Sequence, residues 1–307
     1  MSIRFEPPFR VAIARVRPKL EARECLLFDL LCAAGQLGYR LPDDDINLRA
    51  GSGSRDPRKR LAREFPQLRA THVGRAEAWQ QAGDRLTRLL LAELSARDLP
   101  EEARALRVLL AYATIALAPD CAIPLDPFSR AAWETAVKLF ARLFPSKVKS
   151  LGSLDCVQRR LPILQREVAA GLRIGRFASG RRPGKEGARL AVDPELIDRV
   201  SRALEKQFAP GYMARYLFYT KPGDHIWPHP DDPKFAVTVL VCVHHQIPPG
   251  NSARSAFLAY SPNESVRRYE LSPGSALAVE PGMIHARGPV QKGERVALFS
   301  IGLCLAA

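Results

Sequence analysis

The chain has 307 residues, of which 47% are hydrophobic and 25% are charged, and its net charge is +14. These proportions are typical of a soluble globular protein and leave ample core for one large domain or two ordinary ones. No apolar run approaches the roughly 20 residues that span a bilayer, and the start lacks the apolar core of a signal peptide, so we expect a cytoplasmic protein. The positive charge favours acidic partners, such as carboxylated substrates, acidic carrier proteins or nucleic acid, without choosing among them.

The first two-thirds of the chain carries apolar residues at helical spacing. This pattern predicts helices over Leu20–Leu37, Ala76–Arg97, Glu101–Leu117, Arg130–Leu143, Cys156–Leu172 and Asp193–Phe208. The last helix has the clearest start signal, because Asp193 is a suitable N-cap and Pro194 stands at the first helical position. Residues 41–75 are rich in Asp, Gly and Ser, and we expect them to be largely loop.

A second loop is predicted over Arg176–Arg189, where Gly and Arg dominate and apolar periodicity is absent. Most runs of this kind are solvated, which makes the segment a basic linker. The alternative is a mobile lid that closes over an acidic substrate.

After Pro210 the apolar spacing changes from a helical period to the alternation of strands. Short runs bounded by Pro, Gly, Asn and Ser predict strands over Tyr212–Tyr219, Phe235–His244, Ser255–Tyr260, Val266–Leu271, Ser275–Glu280, Ile284–Val290 and Arg295–Leu303. So many short strands in succession indicate a sandwich or barrel instead of a βαβ fold. The predicted fold class is therefore α+β.

The cysteines give no sign of a metal or disulfide framework. They are scattered, without a C-x-x-C pair, at Cys25, Cys32, Cys121, Cys156, Cys242 and Cys304. This spacing argues against a zinc ribbon, a redox motif and a set of disulfides. We expect free, buried thiols.

The residues that carry chemistry begin with an H-x-D pattern. Alternate residues of an extended chain point to the same side, so His229 and Asp231 can converge on one ion, and Pro230 favours an extended His229. His285 lies 56 residues further on, after the turn-forming residues Pro281 and Gly282. Two imidazoles and one carboxylate form the facial triad that holds iron(II) and leaves positions open for a bidentate 2-oxo acid and dioxygen.

Arg295 follows His285 by ten residues and is the predicted partner of a far carboxylate on that 2-oxo acid. A three-residue loop, Gln291–Gly293, would pair Pro289 with Arg295 and place Arg295 on the face of His285. Gly293 stands where such a loop needs a left-handed residue.

With these residues in place, the last third of the chain resembles the 2-oxoglutarate/Fe(II)-dependent oxygenases, in the prolyl-hydroxylase-like branch. The pieces that match are Tyr216–Tyr219, His229–Asp231, Phe235–Val243, Pro273–Leu277, His285–Val290 and Gly293–Arg295. The resemblance covers about a third of the chain. The sequence departs from the family pattern where Pro248, Pro249 and Gly250 replace the usual glycine pair of the central hairpin.

The resemblance implies a double-stranded β-helix, or jelly roll, as the C-terminal core. It implies His229, Asp231 and His285 as the iron ligands and catalytic centre, with Arg295 as the residue that holds 2-oxoglutarate. The expected cofactors are Fe(II) and 2-oxoglutarate, which would be decarboxylated to succinate as a substrate C–H bond is hydroxylated, desaturated or cyclised. Because family halogenases lack the carboxylate ligand, Asp231 disfavours halogenation.

Other side chains are candidates for the pocket. Tyr219 is a candidate for cofactor binding, and Trp227 and Arg287 for substrate binding, although an aromatic ring in such a position more often serves simple core or rim packing. Arg287 shares the face of His285 in a regular strand and suits an acidic group. The substrate is expected to be an amino acid, a peptide, a carrier-bound acyl group or a natural-product intermediate.

The predicted domain organisation is a mainly α-helical region, residues 1–190, packed on an oxygenase core, residues 191–307. The helical region matches no family pattern, and we expect it to support and enclose the substrate. Its Gly/Arg loop would lie near the mouth of the pocket. The oligomeric state is left open.

Two other readings remain. The arginine-rich helices could form a nucleic-acid-binding module beside a sensory or degenerate β domain, although Arg85 and Arg88 alternate with Asp84 and Glu93, as on a solvated helix face. The absence of a second arginine at the spacing found in nucleic-acid demethylases also makes nucleic acid an unfavoured partner. The third reading is a metal-binding cupin, which H-x-D fits less well than H-x-H.

Overall fold

The computed structural model describes residues 14, 16–39, 75–95, 109–110, 113–114, 117, 126–173, 178–231, 235–248, 254–260 and 266–306. Its helices are α1 (Ala22–Tyr39), α2 (Ala76–Ser95), α3 (Pro127–Leu143), α4 (Asp155–Arg173), α5 (Lys185–Ala191) and α6 (Pro194–Leu204). Its strands are β1 (Val148–Ser153), β2 (Ala178–Arg181), β3 (Phe208–Tyr219), β4 (Ile226–His229), β5 (Val237–Gln246), β6 (Phe257–Tyr260), β7 (Arg267–Tyr269), β8 (Ser275–Val279), β9 (Ile284–Arg287) and β10 (Arg295–Leu305). None of these helices combines the length and apolarity needed to cross a membrane.

The chain divides into two compact units, one of described residues as far as Phe144 and one from Pro145 onwards. Trp227–His229 is grouped with the first unit although it lies in strand β4 of a sheet that otherwise belongs to the second. Helices α4 and α5 both begin before residue 190 and belong to the second unit. The role of residues 1–190 in enclosing a substrate stays a prediction.

The first unit is built from helices α1, α2 and α3, which pack on one another. Gly83 lets α2 and α3 approach closely, because a Cβ there would lie 2.4 Å from Thr135 Oγ1. The rings of Trp79 and Phe128 lie 4.8 Å apart in the same contact. The partly exposed Arg85 pairs with the buried Glu24 at 3.1 Å, so this arginine forms an ion pair inside the helical unit.

The second unit contains two sheets. The six-stranded sheet has the order β1-β8-β5-β10-β3-β2, and the four-stranded sheet has the order β4-β9-β6-β7. The pairs β10–β3, β10–β5, β5–β8 and β6–β9 are all antiparallel. The second unit is therefore a mixed structure of helices and antiparallel sheets, as the predicted α+β class requires.

The six-stranded sheet is buried on both faces. One face packs on α4 and α6 through the helix–sheet core, which includes Val239, Val241, Ala297 and Phe299. The opposite face meets the four-stranded sheet in the inter-sheet core, which includes Tyr219, Cys242, Phe257, Val296 and Leu298. Burial on both faces explains why β5 is a continuous apolar run without alternation.

Three of the described turns between these strands contain a glycine in the left-handed region. Gly223, Gly274 and Gly293 have φ angles of +86°, +89° and +82°. In each of these turns a backbone N–H bonds the carbonyl three residues earlier, and the first two turns have proline before the glycine, as type II turns favour. The left-handed conformation predicted for Gly293 is confirmed.

All seven predicted strands are present, and Asp193 caps α6 by accepting bonds from Glu195 N and Leu196 N. The loop predicted over Arg176–Arg189 is wrong in the part that the structure describes. Residues 178–181 form β2, which pairs with β3, and residues 185–191 form α5. The predicted helix over Glu101–Leu117 and the loop over residues 41–75 lie mostly outside the described residues.

The start of α5 is held from a distance, which explains why the sequence pattern missed it. The Glu167 carboxylate of α4 accepts bonds from Gly184 N, Glu186 N and Gly187 N at 2.8–3.2 Å. It also accepts a bond from the Tyr216 hydroxyl at 2.7 Å. A side chain from another element therefore satisfies N–H groups that a helix start leaves without intrahelical partners.

Candidate metal centre

Neighbouring strands of the four-stranded sheet carry the two predicted histidine ligands. His229 ends β4, His285 lies in β9, and Asp231 follows β4 after Pro230. The strand β9 is regular and pairs with β6, so that His285 stands opposite Ala259.

A turn before β4 fixes its approach to β9. Asp224 is buried, and its carboxylate accepts bonds from Thr220 N and Lys221 N at 2.8 Å each. The chain on either side is tied to the residue that follows β9, because Gly223 N donates to Val290 O and Val290 N donates to Asp224 O. His229 is thereby positioned by backbone bonds on the neighbouring segment.

The three side chains converge in space. One ligand atom from each of His229, Asp231 and His285 can be chosen so that all lie within 4.8 Å of one another. His285 Nε2 lies 3.7 Å from Asp231 Oδ1. Ligand atoms about 2.1 Å from a common ion are separated by about 3–4 Å. The 3.7 Å between His285 Nε2 and Asp231 Oδ1 therefore fits a single metal site.

The orientation of His285 suits metal binding. Its Nδ1 lies 2.9 Å from the carbonyl oxygen of Met283, which requires the proton on Nδ1 and leaves the lone pair of the neutral ring on Nε2. The ring also stacks on Phe257, with centroids 5.1 Å apart and an interplanar angle of 21°. Such a partner on the second ring nitrogen is the usual arrangement for a histidine that binds a metal.

Asp231 supplies an independent indication of an ion. Its Oδ2 is buried and has no hydrogen-bond partner among the described residues. A buried carboxylate oxygen is costly without a bond, and a divalent cation would satisfy it. The donor set of two imidazoles and one carboxylate, with this orphaned oxygen, therefore fits iron(II).

Arg295 does not lie where the hairpin parity placed it, and that prediction is wrong. β9 belongs to the four-stranded sheet, whereas β10 lies between β5 and β3 in the other sheet. Arg295 is exposed and lies two and four residues before Ala297 and Phe299, whose side chains face the helices. Because strand residues alternate between faces, Arg295 lies on the helix-facing side too. Counting pairs across a turn fails here because the turn joins two sheets and not two paired strands.

Arg287 is the arginine that lies inside. It is 3% exposed, two residues after His285, and its guanidinium carbon lies 5.4 Å from the centre of the Tyr219 ring. Burial lowers the pKa of Arg287 and raises the pKa of Tyr219. The two side chains predicted to bind substrate and cofactor, Arg287 and Tyr219, thus contact each other in the inter-sheet core.

A buried polar network beside Arg287 was not anticipated. The Glu294 carboxylate accepts bonds from Ser255 Oγ, Ser255 N and Gln291 N at 2.7, 2.9 and 2.8 Å. His245 Nε2 lies 2.7 Å from the same carboxylate, and Arg287 donates to Ser255 Oγ at 2.7 Å. Burial is the largest influence on the pKa of Glu294 and raises it, but the hydrogen bonds together hold the pKa below its ordinary value.

The other histidines that the structure describes, His225, His244 and His245, play no part in the triad. His225 Nδ1 bonds Gly223 O in the turn before β4, and His245 belongs to the Glu294 network. Burial lowers the pKa of His244, which pairs with Ala297 on the helix-facing side of the sheet. The side chain of Trp227 lies outside the described residues, so its predicted contact with substrate stays a prediction.

A second group of possible ligands, Cys156, Asp193 and Glu195, has an ordinary structural explanation. Asp193 caps α6 and pairs with Arg160 at 2.8 Å. Glu195 pairs with Arg159 on the surface. Burial raises the pKa of Cys156 to about 11, so the thiolate that a metal needs is disfavoured.

Comparison with known proteins gives structural similarities only. No family model and no curated protein matches the chain. A prolyl-4-hydroxylase of Pseudomonas putida has a TM-score of 0.38 and 16% identity, over 53% of this chain and 93% of that one. The non-heme alpha-ketoglutarate-dependent epimerase SnoN from nogalamycin biosynthesis has a TM-score of 0.38 and 15% identity, over 53% and 79%.

A third similar structure is an oxidoreductase of the 2OG-Fe(II) oxygenase family from Burkholderia pseudomallei. Its TM-score is 0.36 and its identity 12%, over 54% of this chain and 88% of that one. Since these TM-scores are all below 0.5, the similarities carry no conclusion about function.

Proposed function

We propose that this protein is an iron(II)- and 2-oxoglutarate-dependent oxygenase whose two antiparallel sheets form a double-stranded β-helix. The observation that carries the proposal is the convergence of His229, Asp231 and His285 around a buried carboxylate oxygen without a hydrogen-bond partner in the described residues. A site with three protein ligands keeps coordination positions open, as non-heme iron oxygenases require.

Iron(II) bound by the triad would supply the oxidative decarboxylation of 2-oxoglutarate to succinate, coupled to oxidation of an unactivated C–H bond. The substrate would be an amino-acid-like compound, a peptide or a natural-product intermediate, and hydroxylation, desaturation and cyclisation are all compatible with this chemistry. The net charge of +14 favours a substrate with an acidic group.

The protein's own contribution is orientation and the exclusion of water. The carbonyl oxygen of Met283 and the ring of Phe257 hold the His285 imidazole with Nε2 towards Asp231. The apolar side chains of the inter-sheet core line the same face of the sheets as Arg287. An aliphatic C–H bond suits this apolar surface, whereas a carboxylate suits the arginine.

The test is spectroscopic and needs no knowledge of the substrate. Under anaerobic conditions the purified protein should bind one iron(II) per chain, and 2-oxoglutarate should then produce a visible charge-transfer band. His229→Ala, Asp231→Ala and His285→Ala should each abolish the band. His244→Ala is the matched control, because His244 lies on the helix-facing side of the sheet, and it should keep the band.

A band of full intensity in all three ligand variants would show that the metal binds elsewhere. Iron binding without any band on addition of 2-oxoglutarate would leave a metal protein of another class.

A further inference from the structure

Arg287 is a buried guanidinium with unused hydrogen-bonding capacity. Its Nη2 donates to Ser255 Oγ at 2.7 Å, but its Nε is buried and has no hydrogen-bond partner in the part of the chain that the structure describes. Arginine stays protonated in proteins, so the side chain carries a positive charge into the inter-sheet core. Such a group is costly unless an anion reaches it.

The nearby carboxylate does not serve as that anion. Glu294 binds His245 and both donors of Ser255 directly, and it meets Arg287 only through the Ser255 hydroxyl. Both nitrogens of His245 face oxygen atoms, Glu294 Oε1 at 2.7 Å and Leu271 O at 3.1 Å. His245 and Ser255 therefore hold the Glu294 carboxylate, which makes no direct bond to Arg287 in the described residues.

The position of Arg287 relative to the triad defines the ligand. His285 and Arg287 are alternate residues of β9 and point to the same side, about 7 Å apart along the strand. 2-Oxoglutarate has a keto-acid end that chelates a metal and a second carboxylate separated from it by two methylene groups. The strand therefore presents a metal ligand and a cation at a spacing that suits the two ends of this molecule.

Building on the proposed function, we propose that Arg287, and not Arg295, binds the far carboxylate of 2-oxoglutarate. The Ser255, Glu294 and His245 side chains hold the guanidinium in place, and the Tyr219 ring supports its face at 5.4 Å. Arg295 cannot take this role in the present fold because it is exposed on the helix-facing side of β10.

The experiment compares two 2-oxo acids that differ only in the far carboxylate. Anaerobic iron(II)-loaded protein is titrated with 2-oxoglutarate and with 2-oxopentanoate, and the charge-transfer band gives a dissociation constant for each. The wild-type protein should bind 2-oxoglutarate at least about 30-fold more tightly, as expected for a buried charge pair. In Arg287→Gln the two acids should bind almost equally, while iron binding measured without any oxo acid is retained.

Three further variants make the result specific. Arg295→Gln, the matched control, should keep the wild-type preference. Arg287→Lys keeps the charge without the planar fork and should restore part of the preference. Ser255→Ala removes the hydroxyl that holds the guanidinium and should reduce the preference for 2-oxoglutarate over 2-oxopentanoate several-fold. If Arg287→Gln does not fold, Ser255→Ala and Arg287→Lys together test the assignment in its place.

The possible failures are distinguishable. If folded Arg287→Gln keeps the full preference for 2-oxoglutarate, the assignment of Arg287 is overturned and the oxygenase proposal stands. The same holds if Arg287→Gln does not fold and both Arg287→Lys and Ser255→Ala keep the full preference. Loss of the preference in Arg295→Gln assigns the carboxylate to Arg295 and overturns it equally. If neither acid produces a band with wild-type protein that has bound iron, the proposed function fails and this inference fails with it.

Discussion

Replacing Glu294 tests the buried network more directly than any other single change. Glu294→Ala removes the acceptor of four bonds, from Ser255 N, Ser255 Oγ, Gln291 N and His245 Nε2. It also leaves the buried guanidinium of Arg287 without the carboxylate that lies beyond Ser255. Glu294 is 1% exposed, so water cannot easily replace the lost partner.

The expected loss follows from these contacts. A hydrogen bond to a charged group contributes about 1.5–3 kcal/mol, and an unsatisfied buried donor costs about 1–3 kcal/mol. The four bonds share one carboxylate and do not add, so the better guide is the cost of breaking a buried ion pair, about 3–5 kcal/mol. At about 2–4 °C per kcal/mol for a domain of 150–250 residues, the melting temperature should fall by about 6–20 °C.

Urea denaturation followed by circular dichroism measures this loss as a shift of the midpoint at constant slope. Glu270→Ala is the matched control, because Glu270 is an exposed glutamate 3.9 Å from Arg268, and it should change stability by no more than about 0.5 kcal/mol. If Glu294→Ala lowers the free energy of unfolding by less than about 1 kcal/mol, the reasoning is refuted, since losing a carboxylate that accepts four hydrogen bonds is expected to cost more than that.

The same residue predicts the pH dependence of stability. Hydrogen bonds hold the pKa of Glu294 below its ordinary value, so the folded state keeps the carboxylate ionised where the unfolded chain begins to take up a proton. The stabilisation is present above the unfolded pKa of about 4.3 and is lost as the pH falls through the lower, folded pKa. The difference in stability between the wild type and Glu294→Gln should therefore be greatest near neutral pH and shrink below about pH 4.3. A constant difference down to full acid unfolding would contradict it.

Two further predictions concern local features of the fold. Gly223→Ala should lower the free energy of unfolding by about 1–2 kcal/mol in urea denaturation. Its φ is +86° and a Cβ there meets no atom within 4 Å, so the cost comes from the backbone conformation alone. Gly288→Ala, at a residue without positive φ, should cost less, and the reverse order would contradict this reasoning. Burial raises the pKa of the Cys242 thiol to about 12. Iodoacetamide should therefore label the half-buried Cys304 well before Cys242 in the native protein, and peptide mass spectrometry of the labelled protein measures the order. Equal labelling of the two cysteines would show that the sheet opens readily.

Elements whose signals are local were predictable from the sequence. The cap at Asp193 and the proline after it mark the start of α6 within a few residues. The spacing of His229 and Asp231 brings two side chains to one side of an extended chain whatever the rest of the fold does. Type II turns with a Pro-Gly pair, as at Gly223 and Gly274, are equally local.

Elements held by distant partners were not predictable. β2 is a short strand that pairs with β3, and α5 begins where the Glu167 carboxylate from α4 accepts its N–H groups. β1 pairs with β8, more than a hundred residues away. Neither the apolar period nor a capping residue announces these elements, because the stabilising groups lie in other parts of the chain.

The inversion of Glu294 and Arg295 shows the same limit inside the site. Adjacent residues at the start of a strand point to opposite faces, and either charge could have faced inwards. The prediction that Arg295 faces inwards requires β9 and β10 to pair across the turn. The sheets separate there, and Glu294 faces inwards because Ser255 and His245 provide its donors. A charged side chain is placed by its partners, and those partners come from β5 and the segment before β6.

The triad itself predicts that metal binding stabilises the folded chain, because the three ligands meet only when β4 and β9 are neighbours. A metal present at 100 times its dissociation constant should add about 2.7 kcal/mol to the free energy of unfolding, provided that the unfolded chain does not bind it. Thermal denaturation with and without anaerobic iron(II), or with redox-inert nickel(II), measures this shift. Asp231→Ala and His285→Ala should remove the metal-dependent part of the melting temperature, whereas His244→Ala should retain it. An equal metal-dependent shift in the two ligand variants would mean that the ion stabilises the fold from some other site, and the assignment of Asp231 and His285 as ligands would then be wrong.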